Sequence, residues 1–240
     1  QIYTLTDAII CGQVLTAEQV AGVNDTFPLT FIFLQFAFGC TAGFSVITAN
    51  CVGSSDNQGL RRSFATQIKL SLIISALLTA VSAALLPQLL ALLHITPAHG
   101  EVYSAAYSYC LVIFLGIFTQ IGYNLICGIL RALGDSFSSL VFLLLSTVLN
   151  VGLDLLFLIP LRMGPMGAAI ATVIAQAVSL LAGIVYTLRR YPALRPQRAD
   201  FRPDMKLAAE HLRQGIPLGL QFSILAIGII VMQGAVVKFD

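Results

Sequence analysis

Two polar residues, Asn150 and Asp154, lie inside an otherwise apolar segment, STVLNVGLDLLFLIP at 146–160. On a helix, residues four apart share one face and are separated by about one turn. An Asp at the centre of a membrane helix costs roughly 2.5–3.5 kcal/mol on insertion scales. A carboxylate and an amide stacked in this way can hold a proton or a small cation. The same pair can also serve helix packing, since Asn often forms hydrogen bonds between membrane helices.

Asp7 is the second acidic residue that falls within an apolar helix pattern. The other acidic residues are predicted in loops or at span ends, namely Glu18, Asp25, Asp56, Glu101, Asp135, Asp200, Asp204, Glu210 and Asp240. Asp7 and Asp154 are each about one and a half turns from the same side of the membrane, and no Lys or Arg lies at mid-membrane beside them. Such a pair needs a proton or a cation to be stable. Thr172 can add a hydroxyl at similar depth, although a threonine bonded back to its own helix is the simpler interpretation.

The composition identifies a polytopic membrane protein. The chain has 240 residues, of which 58% are hydrophobic and 10% charged, with a mean hydropathy of +0.90; soluble domains have about 25% charged residues. The five cysteines show no metal-binding spacing and are predicted to be small buried residues. The three histidines are predicted at span ends or in loops, without zinc-site spacing. The sequence offers no nucleophile–base pair and no phosphate loop, which argues against an enzyme.

Runs of about 20 apolar residues predict the membrane spans. They lie at about 1–12, 27–52, 63–93, 102–130, 137–161, 168–188 and 216–237. The first run is too short to cross a bilayer, so we expect a truncated first helix. A turn-rich loop is predicted at 13–25, and an amphipathic segment at 206–214. Four glycines inside the spans are predicted at helix bends or, preferably, at close helix contacts: Gly39, Gly43, Gly116 and Gly122.

The basic residues predict the orientation of the chain. Eleven of the 13 Lys and Arg residues fall on one side, namely Arg61, Arg62, Lys69, Arg131, Arg189, Arg190, Arg195, Arg198, Arg202, Lys206 and Arg213, and two, Arg162 and Lys238, on the other. The first side is predicted to be cytoplasmic. The basic segment 189–206 lies beside a span and contains proline, which favours a cytoplasmic linker between two membrane lobes over a nucleic-acid-binding segment.

Five motifs in order carry a resemblance to a known family: LTDAIICGQ, AGVNDTFPL, GILRALGDS, NVGLDLLF and MGAAIATVIAQ. The chain resembles the multidrug and toxic compound extrusion (MATE) family, and is most similar to its prokaryotic DinF-like branch. The resemblance implies an all-α integral membrane protein with two six-helix lobes around a central cavity. Residues 1–190 would form the amino-terminal lobe with its first helix truncated, 191–214 the cytoplasmic linker and amphipathic segment, and 215–240 the first helix of the carboxy-terminal lobe.

The resemblance also implies a function and a site. Family members export amphipathic or cationic small molecules from the cell, by antiport with H⁺ or Na⁺ and without a further cofactor. Asp7, Asn150, Asp154 and Thr172 match the ion-coupling residues of the amino-terminal lobe. Arg131 and Asp135 match a loop signature with a structural or gating role. The expected partners are the substrate, the bilayer and the second lobe, not nucleic acid, and the expected location is the cell membrane, as for a bacterial inner-membrane protein.

Two other classes stay open from the sequence. A flippase of lipid-linked sugars from the same superfamily would need cations in its cavity to hold a pyrophosphate, and this lobe has no Lys or Arg at mid-membrane. A membrane scaffold or receptor would not need two intramembrane carboxylates at one depth. Neither the coupling ion nor the substrate follows from the sequence.

Overall fold

A computed structural model describes the backbone of residues 9–236 and the side chains of residues 9–232. Residues 9–14 are helical, and the following helices are α1 (Ala17–Asp25), α2 (Phe27–Gly53), α3 (Asn57–Ala84), α4 (Leu86–Leu92), α5 (Glu101–Leu115), α6 (Ile117–Ala132), α7 (Ser136–Leu158), α8 (Gly164–Arg190) and α9 (Met205–Val236). Short 3₁₀ turns lie at Pro97–His99, Pro192–Leu194 and Arg198–Phe201. The described residues contain no strand, and the predicted all-α fold is confirmed.

The described residues contain five helices that are each long and apolar enough to cross a membrane: α2, α3, α7, α8 and α9. Helices α5 and α6 meet the same criteria only as a pair, with a bend of 46° between them. Most of the predicted first span lies outside the described residues. The chain is therefore a multi-pass membrane protein.

Two predicted spans are not straight single helices. The span predicted at 63–93 is wrong as one unit, because α3 ends at Ala84 and α4 begins at Leu86. Pro87 causes this break, since proline has no N–H for the hydrogen bond to the preceding turn and its ring clashes there. The span predicted at 102–130 bends at Gly116, where Thr119 Oγ1 donates to the Gly116 carbonyl over 2.7 Å. A side chain at Gly116 would also overlap Val173 of α8, so bending and close packing both apply there.

The loop predicted at 13–25 is largely helix α1. Thr16 caps this helix by accepting a hydrogen bond from the backbone N–H of Gln19 over 3.3 Å. A Thr followed three residues later by Gln is a helix-start signal that the sequence interpretation missed.

The linker and the last span are also arranged differently from the prediction. The amphipathic segment at 206–214 and the seventh span form one helix, α9. The linker before it lies against α3: Arg61 pairs with Asp200 over 3.4 Å, and Lys69 Nζ donates to the Phe201 carbonyl over 3.3 Å. The basic segment is therefore attached to the helix bundle along its length, which a sequence of mixed prolines and arginines does not reveal.

Helices α2 and α9 meet along what we call the glycine seam, formed by Gly39 and Gly43 on α2 and Gly215 and Gly219 on α9. A Cβ added at Gly39 would lie 2.6 Å from the Gly219 Cα, and one added at Gly43 would lie 2.6 Å from the Gly215 Cα. Glycines four apart on both helices let the two backbones approach closely. The close-packing interpretation of Gly39 and Gly43 is confirmed.

The two ends of the bundle differ in charge. The end at which α2, α6 and α8 finish and α3, α7 and α9 start carries most of the basic residues, and we call it the basic end. Arg162, in the turn between α7 and α8, lies at the opposite end. Four cysteines are buried and Cys51 is half-buried, so the predicted role of the cysteines as small packing residues is confirmed.

Candidate functional site

The buried face of α7 is polar, whereas its exposed face is apolar. The buried residues recur every three or four positions, so they form one stripe along the helix: Ser138, Ser139, Phe142, Ser146, Asn150, Asp154 and Leu158. Exposed leucines and valines such as Leu144 and Val148 cover the other face. In a helix of a soluble protein the apolar face is buried and the polar face is exposed, so the distribution on α7 is the reverse. It is typical of a membrane helix that presents its polar face to the protein interior.

Asn150 and Asp154 are both fully buried, with 0% exposure. The side-chain N–H of Asn150 donates to Oγ1 of Thr172 on α8 over 3.4 Å, and the Thr172 hydroxyl donates to the Ala168 carbonyl over 3.1 Å. Thr172 is therefore bonded back to its own helix and also contacts Asn150, so both interpretations of this residue apply. The structure brings Asn150 and Thr172 together, with Asp154 one turn along α7.

Asn150 also presents an unused acceptor. Its Oδ1 is buried and has no hydrogen-bond partner among the described residues. Leaving a buried acceptor unpaired costs about 1–3 kcal/mol, so native proteins rarely leave one without a function. An amide oxygen, a hydroxyl and a carboxylate on adjoining turns form the oxygen-rich set that a small hard cation or a proton would use.

The described end of the first span packs beside this site. Cys11, Leu158 and Ala168 form one buried apolar cluster, with Ile10 and Leu15 against it. Leu158 follows Asp154 by one turn on α7, and Ala168 precedes Thr172 by one turn on α8. The described end of the first span therefore lies next to the two helices that carry the candidate site. Asp7 itself lies outside the described residues.

Arg131 and Asp135 lie at the basic end, at the other end of the bundle from Asp154. Asp135 Oδ1 caps α7 by accepting from the Ser138 N–H over 3.0 Å, and Oδ2 accepts from the hydroxyls of Tyr186 (3.1 Å) and Tyr191 (3.0 Å). Arg131 Nη1 donates to Ser139 Oγ over 3.1 Å. These contacts join α6, α7 and the end of α8.

Opposing effects act on the Asp135 carboxylate. Partial desolvation raises its pKa, but the hydrogen bonds from Ser138, Tyr191 and Tyr186 outweigh that effect, and the pKa lies below its ordinary value of 3.8. Desolvation and the bond to Asp135 raise the pKa of Tyr191. Asp135 is thus charged and Tyr191 neutral at physiological pH, as a stable helix cap requires.

The sequence interpretation missed a group of buried polar residues. His211 was expected at a span end, but it is fully buried beside Thr48, Ser63 and Gln67. The spacing of Ser63 and Gln67, four apart at the start of an apolar span, is the signal that could have indicated a buried partner. A second polar contact, in which the Gln176 amide donates to the Gln120 carbonyl oxygen, joins α8 to α6.

Comparison with known proteins relates this chain to membrane transporters. The MatE family model matches residues 1–156. The chain is 31% identical over 236 residues to the probable multidrug resistance protein YpnP of Bacillus subtilis, covering 98% of this chain and 52% of that protein. The chain thus spans about half the length of the curated relatives it matches.

Solved structures show the same relationship in three dimensions. The chain is similar to a multidrug resistance MATE family transporter in its outward-facing conformation, with a TM-score of 0.85, and in its inward-facing conformation, with a TM-score of 0.84. Both are 29% identical to this chain; the matches cover 95% and 94% of it and 50% of the solved chain. Because the two conformations match almost equally, these residues correspond to a part of the transporter that keeps its internal structure in both.

Proposed function

Because the chain belongs to the MatE family, the multidrug and toxic compound extrusion transporters, we propose that it forms one lobe of a secondary transporter for amphipathic or cationic small molecules. The main observation that supports this proposal is the buried polar face of α7, on which Asn150 and Asp154 are both 0% exposed inside an apolar bundle. The relative in Bacillus subtilis is named a probable multidrug resistance protein, which supports export of drugs as the transport activity.

The ion-coupling site of this proposal consists of Asn150, Asp154 and Thr172, with Asp7 as a second carboxylate. Asp7 precedes Cys11 by four residues in the sequence. Cys11 packs with Leu158 and Ala168, which are themselves one turn from Asp154 and Thr172. The motifs around Asp7 and Asp154 also support placement in the DinF-like branch.

The proposed mechanism follows from the cost of buried charge. Two carboxylates near each other in an apolar bundle are unfavourable until a proton or Na⁺ binds. Ion binding removes this cost and lets the first span repack against α7 and α8. The ion then shifts the population between outward-open and inward-open states by as much as its affinities for them differ. This lobe rocks against the second lobe around a fixed site, as in secondary transporters generally.

The location is proposed from the same charge pattern. The basic end faces the cytoplasm, according to the positive-inside rule. The candidate site then lies towards the outer face of the cell membrane, and linker 191–204 lies on the cytoplasmic side.

The proposal is tested by transport into and out of vesicles. The full-length protein is reconstituted into proteoliposomes, a sodium gradient or a pH gradient is imposed separately, and transport of ethidium is followed by fluorescence. Transport driven by one gradient and not the other supports antiport and identifies the ion. Absence of transport under both gradients contradicts antiport and favours the flippase alternative, for which lipid-linked sugars are the next substrates.

A further inference from the structure

Four polar side chains form a buried cluster at the basic end, where α2, α3 and α9 meet. Thr48, Ser63, Gln67 and His211 are each 0% exposed. His211 Nε2 lies 3.0 Å from Ser63 Oγ, and the Gln67 side-chain N–H₂ group donates to Ser63 Oγ over 3.1 Å and to Thr48 Oγ1. This cluster is separate from Asp154, which lies towards the other end of the bundle.

The hydrogen bonds determine the proton positions on the imidazole ring. His211 Nδ1 lies 2.8 Å from the Leu207 carbonyl oxygen, which can only accept, so Nδ1 carries a proton. The ring is therefore neutral or positively charged according to whether Nε2 also carries a proton. A neutral ring accepts the Ser63 hydroxyl proton at Nε2, whereas a charged ring donates from Nε2 to Ser63 Oγ.

The amide of Gln67 is oriented for the neutral ring. With its N–H₂ group towards Ser63 and Thr48, it supplies a donor to Ser63 Oγ and leaves the Ser63 proton for His211. In this orientation the Gln67 Oε1 is buried and has no hydrogen-bond partner among the described residues. The cluster thus contains one unused acceptor.

Rotation of the Gln67 amide by 180° would suit the charged ring, and it would place the N–H₂ group where Oε1 now has no partner among the described residues. Oε1 then accepts the hydroxyl protons of Ser63 and Thr48, and Ser63 Oγ is free to accept the second ring proton of His211. Each protonation state of the histidine therefore has its own orientation of one amide, and the helices need not move.

A cleft at the basic end lies next to the cluster. This cleft of about 410 Å³ is lined by residues that include Leu207, whose carbonyl binds His211. Helix α2 has no charged residue in its sequence, and it places the Phe44 ring edge-on to His211 at a centroid distance of 5.9 Å. The charged groups on the other elements packed there are Arg61, Arg62 and Lys69 of α3, Asp56 of the α2–α3 turn, Asp200 and Asp204 of the linker, and Lys206, Glu210 and Arg213 of α9.

Several of these charges are already paired. Arg62 pairs with Asp204, Arg61 pairs with Asp200, and Lys69 donates to linker carbonyls. Glu210, next to His211 in the chain, lines the cleft. We propose that His211 is a second proton-binding site of this protein, with Ser63 and Gln67 as the partners that change orientation when the proton binds.

The test is a titration of the histidine rings. Full-length protein labelled with ¹⁵N-histidine is followed by NMR between pH 5 and 9, and His211 is assigned with the His211→Gln variant. His94 and His99 are exposed in the same chain and serve as internal controls. We expect Gln67→Met, which removes the acceptor, to lower the titration midpoint of His211 by about half a pH unit or more, and Gln67→Glu to raise it.

The controls decide between proton binding and packing alone. The exposed His94 and His99 rings serve as references for the pH scale in both Gln67 variants, and an unchanged midpoint of thermal unfolding shows that the variants are folded. A His211 ring that stays neutral to pH 5 in the folded protein, or a midpoint that neither variant moves, would overturn the proposal. The result does not depend on which ion drives transport.

Discussion

The side-chain amide of Asn150 on α7 donates to the hydroxyl of Thr172 on α8 over 3.4 Å. This bond is made by the amide nitrogen and fixes the orientation of the amide. The Asn150 Oδ1 therefore stays inside the bundle, where it has no hydrogen-bond partner among the described residues. Asp154 is one turn away on the same face of α7. The two helices therefore hold an amide oxygen, a hydroxyl and a carboxylate in one buried region.

Removal of the Thr172 hydroxyl tests this arrangement. In Thr172→Val the Asn150 amide loses its fixed partner, so we expect the ion concentration for half-maximal transport to rise by about fivefold, the value of one hydrogen bond of about 1 kcal/mol. The measurement is ion-dependent efflux from proteoliposomes. Thr147→Val is the matched control, because Thr147 is a half-buried α7 threonine that donates only to the Leu143 carbonyl of its own helix. An equal effect of both substitutions would contradict the role of Thr172.

Substitution of Gly43 tests the glycine seam. In Gly43→Ala the new Cβ would meet the α9 backbone at 2.6 Å, so α2 and α9 must move apart. Overpacking of this kind costs about 1–3 kcal/mol, and we expect a lower midpoint of thermal unfolding in detergent. Gly152→Ala is the control, since a Cβ there meets nothing within 4 Å and alanine favours the helix by about 0.5–1 kcal/mol. A thermal midpoint of Gly43→Ala at or above that of wild type would exclude close packing at the seam.

The pH dependence of stability tests the Asp135 cap. Because its folded-state pKa lies below 3.8, the charged form stabilises the fold; the stabilisation is complete above this value and is lost as the pH falls through the lowered pKa. We expect Asp135→Ala to lower the thermal midpoint at pH 7, as the loss of a helix cap costs about 0.5–2 kcal/mol. The difference from wild type should shrink below pH 4. If the thermal midpoints of wild type and Asp135→Ala differ by the same amount at every pH, the charge of the Asp135 carboxylate does not contribute to the stability.

Tyr191→Phe is the finer variant for the same cap. It removes one hydrogen bond to Asp135 and keeps the helix cap to Ser138. We expect a smaller loss of stability than in Asp135→Ala, in the same pH range. A loss as large as that of Asp135→Ala would mean that the tyrosine acts mainly through packing.

The sequence predicted those features that depend on local pattern. Long apolar runs identify membrane helices, and two polar residues four apart in such a run identify a buried face, as Asn150 and Asp154 do. The break at Leu85 was not predicted, although Pro87, two residues further on, is a local signal for it. Such local features can be predicted because the cost of a missing backbone hydrogen bond or of a buried polar group is set by the residue itself.

Features that depend on contacts between distant residues were not predicted. His211 was expected at a span end, but Ser63, which is 148 residues away, buries it. The linker was expected to be a connecting segment, but Arg61 and Lys69 of α3 hold it against the bundle. Neither the His211–Ser63 contact nor the contact of the linker with α3 leaves a periodic signal in the sequence. Each segment taken alone could equally be exposed to solvent, and only the folded structure shows which segment covers it.

The central claim is that the buried carboxylate of Asp154 couples an ion to transport. The most direct measurement compares gradient-driven ethidium efflux by wild type, Asp154→Asn and Glu101→Gln in proteoliposomes of the full-length protein. Glu101 is an exposed carboxylate at the start of α5 and serves as the matched control. If Asp154 couples the ion to transport, we expect Asp154→Asn to reduce efflux to the level of protein-free vesicles and Glu101→Gln to keep the wild-type rate. Undiminished gradient-driven efflux by Asp154→Asn would contradict the proposed ion-coupling role of Asp154.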